Sequence, residues 1–143
     1  MHTQLPLDID KPGFLAWGER KDGRYELVQG RVVMTPPSMR RHALMRMDLF
    51  SLISAQLEGG VWKVFMNFGV DTGPRNLRYP DIVVDRAGGA GSDLTATEPA
   101  LIVEVLSPST AETNLGDKPS EYLRLSSLFG YLVFSQDEPK AWV

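Results

Sequence analysis

Hydrophobic and polar positions along the 143-residue chain change their period several times, and each change marks a new element. "RYELVQGRVVM" alternates on both sides of Gln29-Gly30, which predicts a β-hairpin, and Pro36-Pro37 fixes its end. From Ser38 to about Glu58 the spacing is helical, with Met45, Leu49, Leu52, Ile53, Gln56 and Leu57 near one face, until Gly59-Gly60 stops it. "VWKVFMNFGV" alternates again. Trp62, Val64, Met66, Phe68 and Val70 share one side while Lys63 and Asn67 share the other, so it reads as a strand with one wetter face. Gly73-Pro74-Arg75-Asn76 is a turn, "YPDIVVD" a further short strand, and "RAGGAGSDLTATE" a Gly-rich surface loop. "ALIVEVLS" is apolar on both faces, the mark of a sheet interior. "DKPSEYLRLSSL" reads as helical with Pro119 in its first turn, "GYLVFS" is a strand, and "KAWV" begins another.

The order predicts an α/β (α+β) domain: a mixed central β-sheet flanked by helices, with an N-terminal hairpin. One domain is expected over residues 1–143, without repeats or low-complexity linkers. A last strand that is begun and not finished is expected to be an edge strand or a truncated one.

Composition narrows the chemistry. A hydrophobic content of 43% with 23% charged residues is that of a soluble globular protein. With no Cys, disulfides, thiolate metal sites and Cys nucleophiles are excluded together, which fits a reducing cytoplasm. The N-terminus lacks a basic start followed by an apolar core, and no apolar run approaches the roughly 18 residues of a membrane span, so a cytoplasmic, membrane-free protein is expected. A net charge of −3 argues against a general nucleic-acid-coating protein, and "MRRHALMR" is the one local basic patch. The Gly-rich loop carries neither GxGxxG nor a Walker pattern, so it does not read as a phosphate cradle.

Two carboxylates do not suit their strands. Glu104 shares a face with Ile102 and Leu106, and Asp81 shares one with Val83, so each interrupts an apolar surface. Burying an unpaired carboxylate costs several kcal/mol or more, so each needs a partner. Taken singly, Asp81 could end a turn and Glu104 could form a structural ion pair. If their strands are neighbours the two converge, and like charges that close need a cation or a shared proton. With no Cys and only His2 and His42 as imidazoles, an oxygen-loving ion such as Mg²⁺ or Mn²⁺ is the natural choice.

"YELVQGRVVM", "YPDIVVD", "LIVEVLSPST" and "DKPSEYLRL", in this order and spacing, resemble the bacterial Uma family (the "Uma two" group) of restriction-endonuclease-like proteins within the PD-(D/E)XK nuclease superfamily. The resemblance runs from about Phe14 to Trp142. It implies a Mg²⁺- or Mn²⁺-dependent endonuclease acting on nucleic acid, with DNA the expected substrate and RNA the open alternative, and with a homodimer as the associated assembly. The superfamily's Asp corresponds to Asp81 and its second acidic residue to Glu104, both as metal ligands. The Lys expected two positions on is replaced by Leu106, and Lys118 on the next helix takes its place as the water-side cation. Glu26 corresponds to an acidic residue of the first strand, as a further ligand or supporting group.

Each assignment has a plainer rival. Lys118 could face solvent in a first helical turn, and Glu26 could be the polar alternate of a hairpin strand, since Tyr25 and Leu27 lie on its other face. His42, Arg40 and Arg41 are candidate phosphate contacts, and with Arg46 they could equally be solvated. Ser107, Ser109 and Thr110 read as turn and capping residues, since no GxSxG elbow accompanies them. The rival functions are a nuclease fold that binds nucleic acid or a protein partner without cutting, and a metal-free two-carboxylate hydrolase acting on sugars.

Overall fold

The computed structural model describes residues 5, 8–57, 59–107 and 115–143. The chain forms α1 (Lys11–Gly18), β1 (Arg24–Val28), β2 (Arg31–Thr35), α2 (Arg40–Gln56), β3 (Trp62–Met66), β4 (Val70–Gly73) and β5 (Asn76–Arg78). It continues through β6 (Ile82–Arg86), β7 (Pro99–Leu106), α3 (Asp117–Tyr122), β8 (Gly130–Ser135) and β9 (Ala141–Trp142). Among these residues there are two sheets, one in the order β2-β1-β5-β4 and one in the order β3-β6-β7-β8-β9. The first is antiparallel throughout; the second is mixed, because β7 pairs antiparallel with β6 and parallel with β8.

The predicted hairpin forms around Gln29 and Gly30, whose φ values of 50° and 77° give the left-handed pair that a two-residue connection needs. The Arg75 guanidinium lies where a Gly30 Cβ would stand and would have to move aside for one. The alternation of this hairpin separates two environments. Leu27, Val32 and Leu77 turn to one face and form a buried cluster with Phe14 of α1, while Glu26 and Arg78 lie on the reverse face. α1 itself is capped by Asp10, whose carboxylate accepts the Gly13 N–H at 2.8 Å. Its eight residues carry too short a pattern for the periodicity to reveal it.

"VWKVFMNFGV" is not one strand. Asn67 takes φ 56°, a left-handed conformation that Asn tolerates, and the chain leaves β3 in one sheet to enter β4 in the other. Arg24 locks this corner by donating to Asn67 Oδ1 at 2.6 Å. The "YPDIVVD" strand likewise starts only at Ile82, and the last helix is shorter than its pattern, ending at Tyr122. The helix from Ser38 to about Glu58 is observed as Arg40–Gln56, and Leu52 is 60% exposed rather than on its inner side. β9 is an edge strand, as one of the two expectations for the C-terminus had it.

β7 holds the second sheet together. Val83, Ile102, Tyr131 and Val133 form a core cluster with Val70 of the first sheet and Tyr122 of α3, while α2 covers the face carrying Val105. No described helix is long and apolar enough to cross a membrane. Ile102 is wholly buried at the centre of this cluster, so Ile102→Ala is expected to cost about 2–5 kcal/mol in urea unfolding. The same truncation at Phe129, which is 86% exposed, is expected to stay within about 0.5 kcal/mol.

Candidate functional site

Strand register brings the two misfit carboxylates together. Ile82 pairs with Val103 across β6 and β7, and one residue further Asp81 stands opposite Glu104. The Asp81 N–H points to Glu104 Oε2 at 3.4 Å, and the Val105 N–H donates to Asp81 Oδ2 at 2.8 Å.

Glu104 has a direct partner. Lys118 Nζ of α3 donates to Glu104 Oε1 at 3.1 Å and lies 3.6 Å from Glu26 Oε1. Tyr122, one helical turn after Lys118, adds its hydroxyl to Glu104 Oε1 at 3.4 Å. Lys118 is thus buried against the cleft floor and not a solvent-facing lysine. Glu26 shares its face of the first sheet with Arg78, whose Nη1 is 3.9 Å from Glu26 Oε2. Arg78 in turn grips Glu121 of α3 with two nitrogens, Nε at 3.1 Å from Oε1 and Nη2 against Oε2, a bidentate pair to which Thr72 adds a hydroxyl at 2.9 Å. α3 has only six residues and no side-chain cap at Gly116, so isolated it would not persist. Its position depends on Glu121 and Tyr122, and Lys118 is aimed through them.

On the opposite side α2 contributes His42 and Arg46, one turn apart. His42 Nε2 lies 3.0 Å from the Val105 carbonyl oxygen and 3.5 Å from Asp81 Oδ2, and Arg46 Nη1 donates to Asp81 Oδ1 at 3.2 Å. Arg46 is therefore bound into the site rather than solvated. His42 is buried, also against a surface role, whereas Arg40 is exposed and Arg41 pairs outward with Asp137 at 3.1 Å. Ser107 lines the same cleft, while Ser109 and Thr110 lie outside the described residues.

Four carboxylates (Glu26, Asp81, Glu104, Glu121) thus face three fixed cations (Arg46, Arg78, Lys118), so with all four ionised one negative charge is left over, and at neutral pH a proton on Glu104 balances it. Proton affinities reflect the excess. Burial pushes Glu104 up to about 8; Lys118 opposes this, and Asp81 and Glu26 add to it. Burial would also raise Asp81, but His42 and the Val105 N–H hold it down at about 2. Burial works to lower Lys118, yet Glu104 and Glu26 outweigh it and the ammonium is held above its usual range. Lys118 is a permanent cation here, so a lowered pKa and a general-base role do not apply to it.

The donor set can be tested against a divalent cation. No group of three or more His, Asp or Glu side chains suited to a metal is present among the described residues. The oxygens on offer are the Asp81 and Glu104 carboxylates and the Val105 carbonyl, of which Asp81 Oδ2 and Val105 O already converge on one nitrogen of His42. One or two carboxylates are what Mg²⁺ usually takes from a protein, the rest of its shell being water and substrate phosphate. The residues fit such an ion, and a carboxyl that only a proton neutralises favours it.

Side-chain parity points to Asp81 and Glu104 and the family resemblance to Lys118 and Glu26, and all four line one cleft of about 240 Å³ between the sheets. From sequence Arg46 reads as solvated or phosphate-contacting, and Arg78, Glu121 and Tyr122 are missed. The spacing of Lys118, Glu121 and Tyr122 was a usable signal, because i, i+3 and i+4 share one face of a helix.

The burden on Glu104 has a consequence for stability. Between about 4.5 and about 8 the folded protein holds a proton on Glu104 that the unfolded chain releases, so this group makes stability fall as pH rises through that window. In metal-free protein, Glu104→Gln is expected to flatten that slope in urea unfolding series across the window, and an unchanged slope would place the titration elsewhere.

Comparison with known proteins adds the lineage. A family model described as Uma2, "Putative restriction endonuclease", matches residues 12–143. The "Uncharacterized protein slr1290" of Synechocystis sp. is 28% identical over 130 residues, covering 85% of this chain and 66% of that protein, so the chain spans just under two thirds of this curated relative. A crystal structure of "a putative nuclease belonging to DUF820" from Anabaena variabilis superposes with a TM-score of 0.76 at 17% identity, over 91% of this chain and 75% of that one. At such identity the likeness establishes the fold alone, which this chain shares with that protein.

Proposed function

The chain belongs to the Uma2 family, and from that premise we propose that its buried carboxylate cluster is a divalent-metal-dependent endonuclease site that hydrolyses phosphodiester bonds of DNA. One observation carries the reading: Asp81, Glu104 and Lys118, from neighbouring strand segments and a helix, converge on one cleft floor where the last carboxyl is neutralised only by a proton. A structural ion pair would have closed its charge balance without one.

In this reading Asp81, Glu104 and the Val105 carbonyl hold Mg²⁺ or Mn²⁺. When bound, such an ion neutralises the non-bridging phosphate oxygens and acidifies a water for in-line attack. The chain's own residues do the rest. Asp81 is already ionised at neutral pH, and Glu104 gives up its proton as positive charge arrives beside it. Lys118, fixed 3.1 Å from Glu104, keeps its charge and stabilises the negative charge that develops on the phosphoryl group. Glu26 holds Lys118 from the other side, and Arg78 with Glu121 holds the helix that carries it. Leu106, standing where the superfamily has Lys, leaves Lys118 as the ammonium nearest Glu104, which makes this residue the sharpest point of test.

Cleavage of plasmid and oligonucleotide DNA and of RNA, with Mg²⁺, Mn²⁺ or EDTA, tests the assignment. Asp81→Asn and Glu104→Gln are expected to fall to background, and Lys118→Met to lose about 10²–10³-fold in turnover. DNA cleavage that survives Asp81→Asn and Glu104→Gln, or that is indifferent to EDTA, would contradict it. Absence of cleavage by the wild type, with DNA still bound, would favour a binding module built on the same fold.

A further inference from the structure

α2 sends two hydrogen-bond donors to Asp81, and a metal ligand has no need of both. His42 and Arg46, four residues apart on one helical face, both point at this carboxylate, Arg46 Nη1 at 3.2 Å from Oδ1 and His42 Nε2 at 3.5 Å from Oδ2. His42 Nε2 also lies 3.0 Å from the Val105 carbonyl, so a single N–H stands where two oxygens of different strands converge. That is a place for a small cation. The ring is not otherwise at home there: its Nδ1 is buried with no hydrogen-bond partner, an arrangement that costs free energy and that only the Nε2 contacts offset.

We propose that His42 and Arg46 are a built-in substitute for the divalent cation: they hold Asp81 and the Val105 carbonyl in the metal-free protein, and an incoming ion must displace them. The proposal rests on the reading of Asp81 as a metal ligand. Its physical basis is competition at a carboxylate whose oxygens are already engaged. Oδ2 accepts the Val105 N–H and faces His42, and Oδ1 accepts from a guanidinium that cannot give up its charge. A divalent ion approaching Asp81 meets that positive charge at short range, and it binds only as Arg46 moves off. Such a device keeps the apo site folded while weakening its grip on metal, so that added charge from a phosphate in the cleft helps the ion to bind.

Two measurements test this without relying on turnover. In Mn²⁺ titration calorimetry, Arg46→Met and Arg46→Gln are expected to bind about ten-fold more tightly than wild type, the effect of removing one charged hydrogen bond that competes for the site. Arg46→Lys, which keeps the charge, is expected to stay near wild type. In wild-type protein, the side-chain Nε–H signal of Arg46 in NMR is expected to shift as Mg²⁺ is added to saturation, and this reading does not depend on any variant folding. Unchanged or weaker Mn²⁺ binding in the folded Arg46 variants, or an Arg46 signal that ignores saturating Mg²⁺, would overturn the proposal. Mn²⁺ binding that is equally tight in Asp81→Asn would instead overturn the premise that Asp81 is a ligand.

Discussion

The hydrogen bond from Lys118 to Glu104 is the contact on which the rest of the molecule is arranged. A carboxylate on the central strand of a sheet is not tolerated alone, and no cation from the same sheet reaches it. The cation comes from a helix too short to stand unaided, and that helix is held by Arg78 of the other sheet through a bidentate pair with Glu121. One buried charge on β7 therefore ties together both sheets and α3. The two apolar clusters lie on either side of this polar seam, so the seam itself is not a break in a single core.

Much of this was legible in the order of residues. Period-two alternation gave the hairpin, and parity on its first strand already separated Leu27 from Glu26, which is how the structure divides them between core and cleft. The apolar run around Glu104 gave the central strand. Other features were not legible for identifiable reasons. α1 is eight residues long, too short for a helical period to stand out, and the corner at Asn67 hides inside a largely alternating segment, where Asn67 falls on the polar side. A parity argument cannot see that the chain changes sheets. Arg46 reads as a solvated or phosphate-contacting residue and Arg78 is passed over, because an arginine on a surface-looking stretch gives no sign of where its guanidinium goes until tertiary contacts are known.

The same arrangement accounts for the departure from the superfamily pattern. With Leu106 at the usual lysine position, that side chain packs against the core around Tyr122 and Val133, and the ammonium is delivered from α3 instead. What chemistry at a phosphate requires is a positive charge at a point, not a lysine at a sequence position. Two consequences pull against each other. The burial that raises Glu104, with the neighbouring carboxylates Asp81 and Glu26 adding to it, also makes the apo fold less stable at higher pH, so stability is given up at the site that is proposed to act.

The central claim is that Glu104 is a buried carboxyl in a cluster one cation short, waiting for a divalent ion beside Asp81. Carboxyl-carbon NMR titration of Glu104, in metal-free protein and again with saturating Mg²⁺, tests it most directly. The account predicts a midpoint near 8 without metal, moving well down into the ordinary carboxylate range when Mg²⁺ is present. A midpoint near 4.5 in metal-free protein, or one that Mg²⁺ leaves where it was, would contradict it.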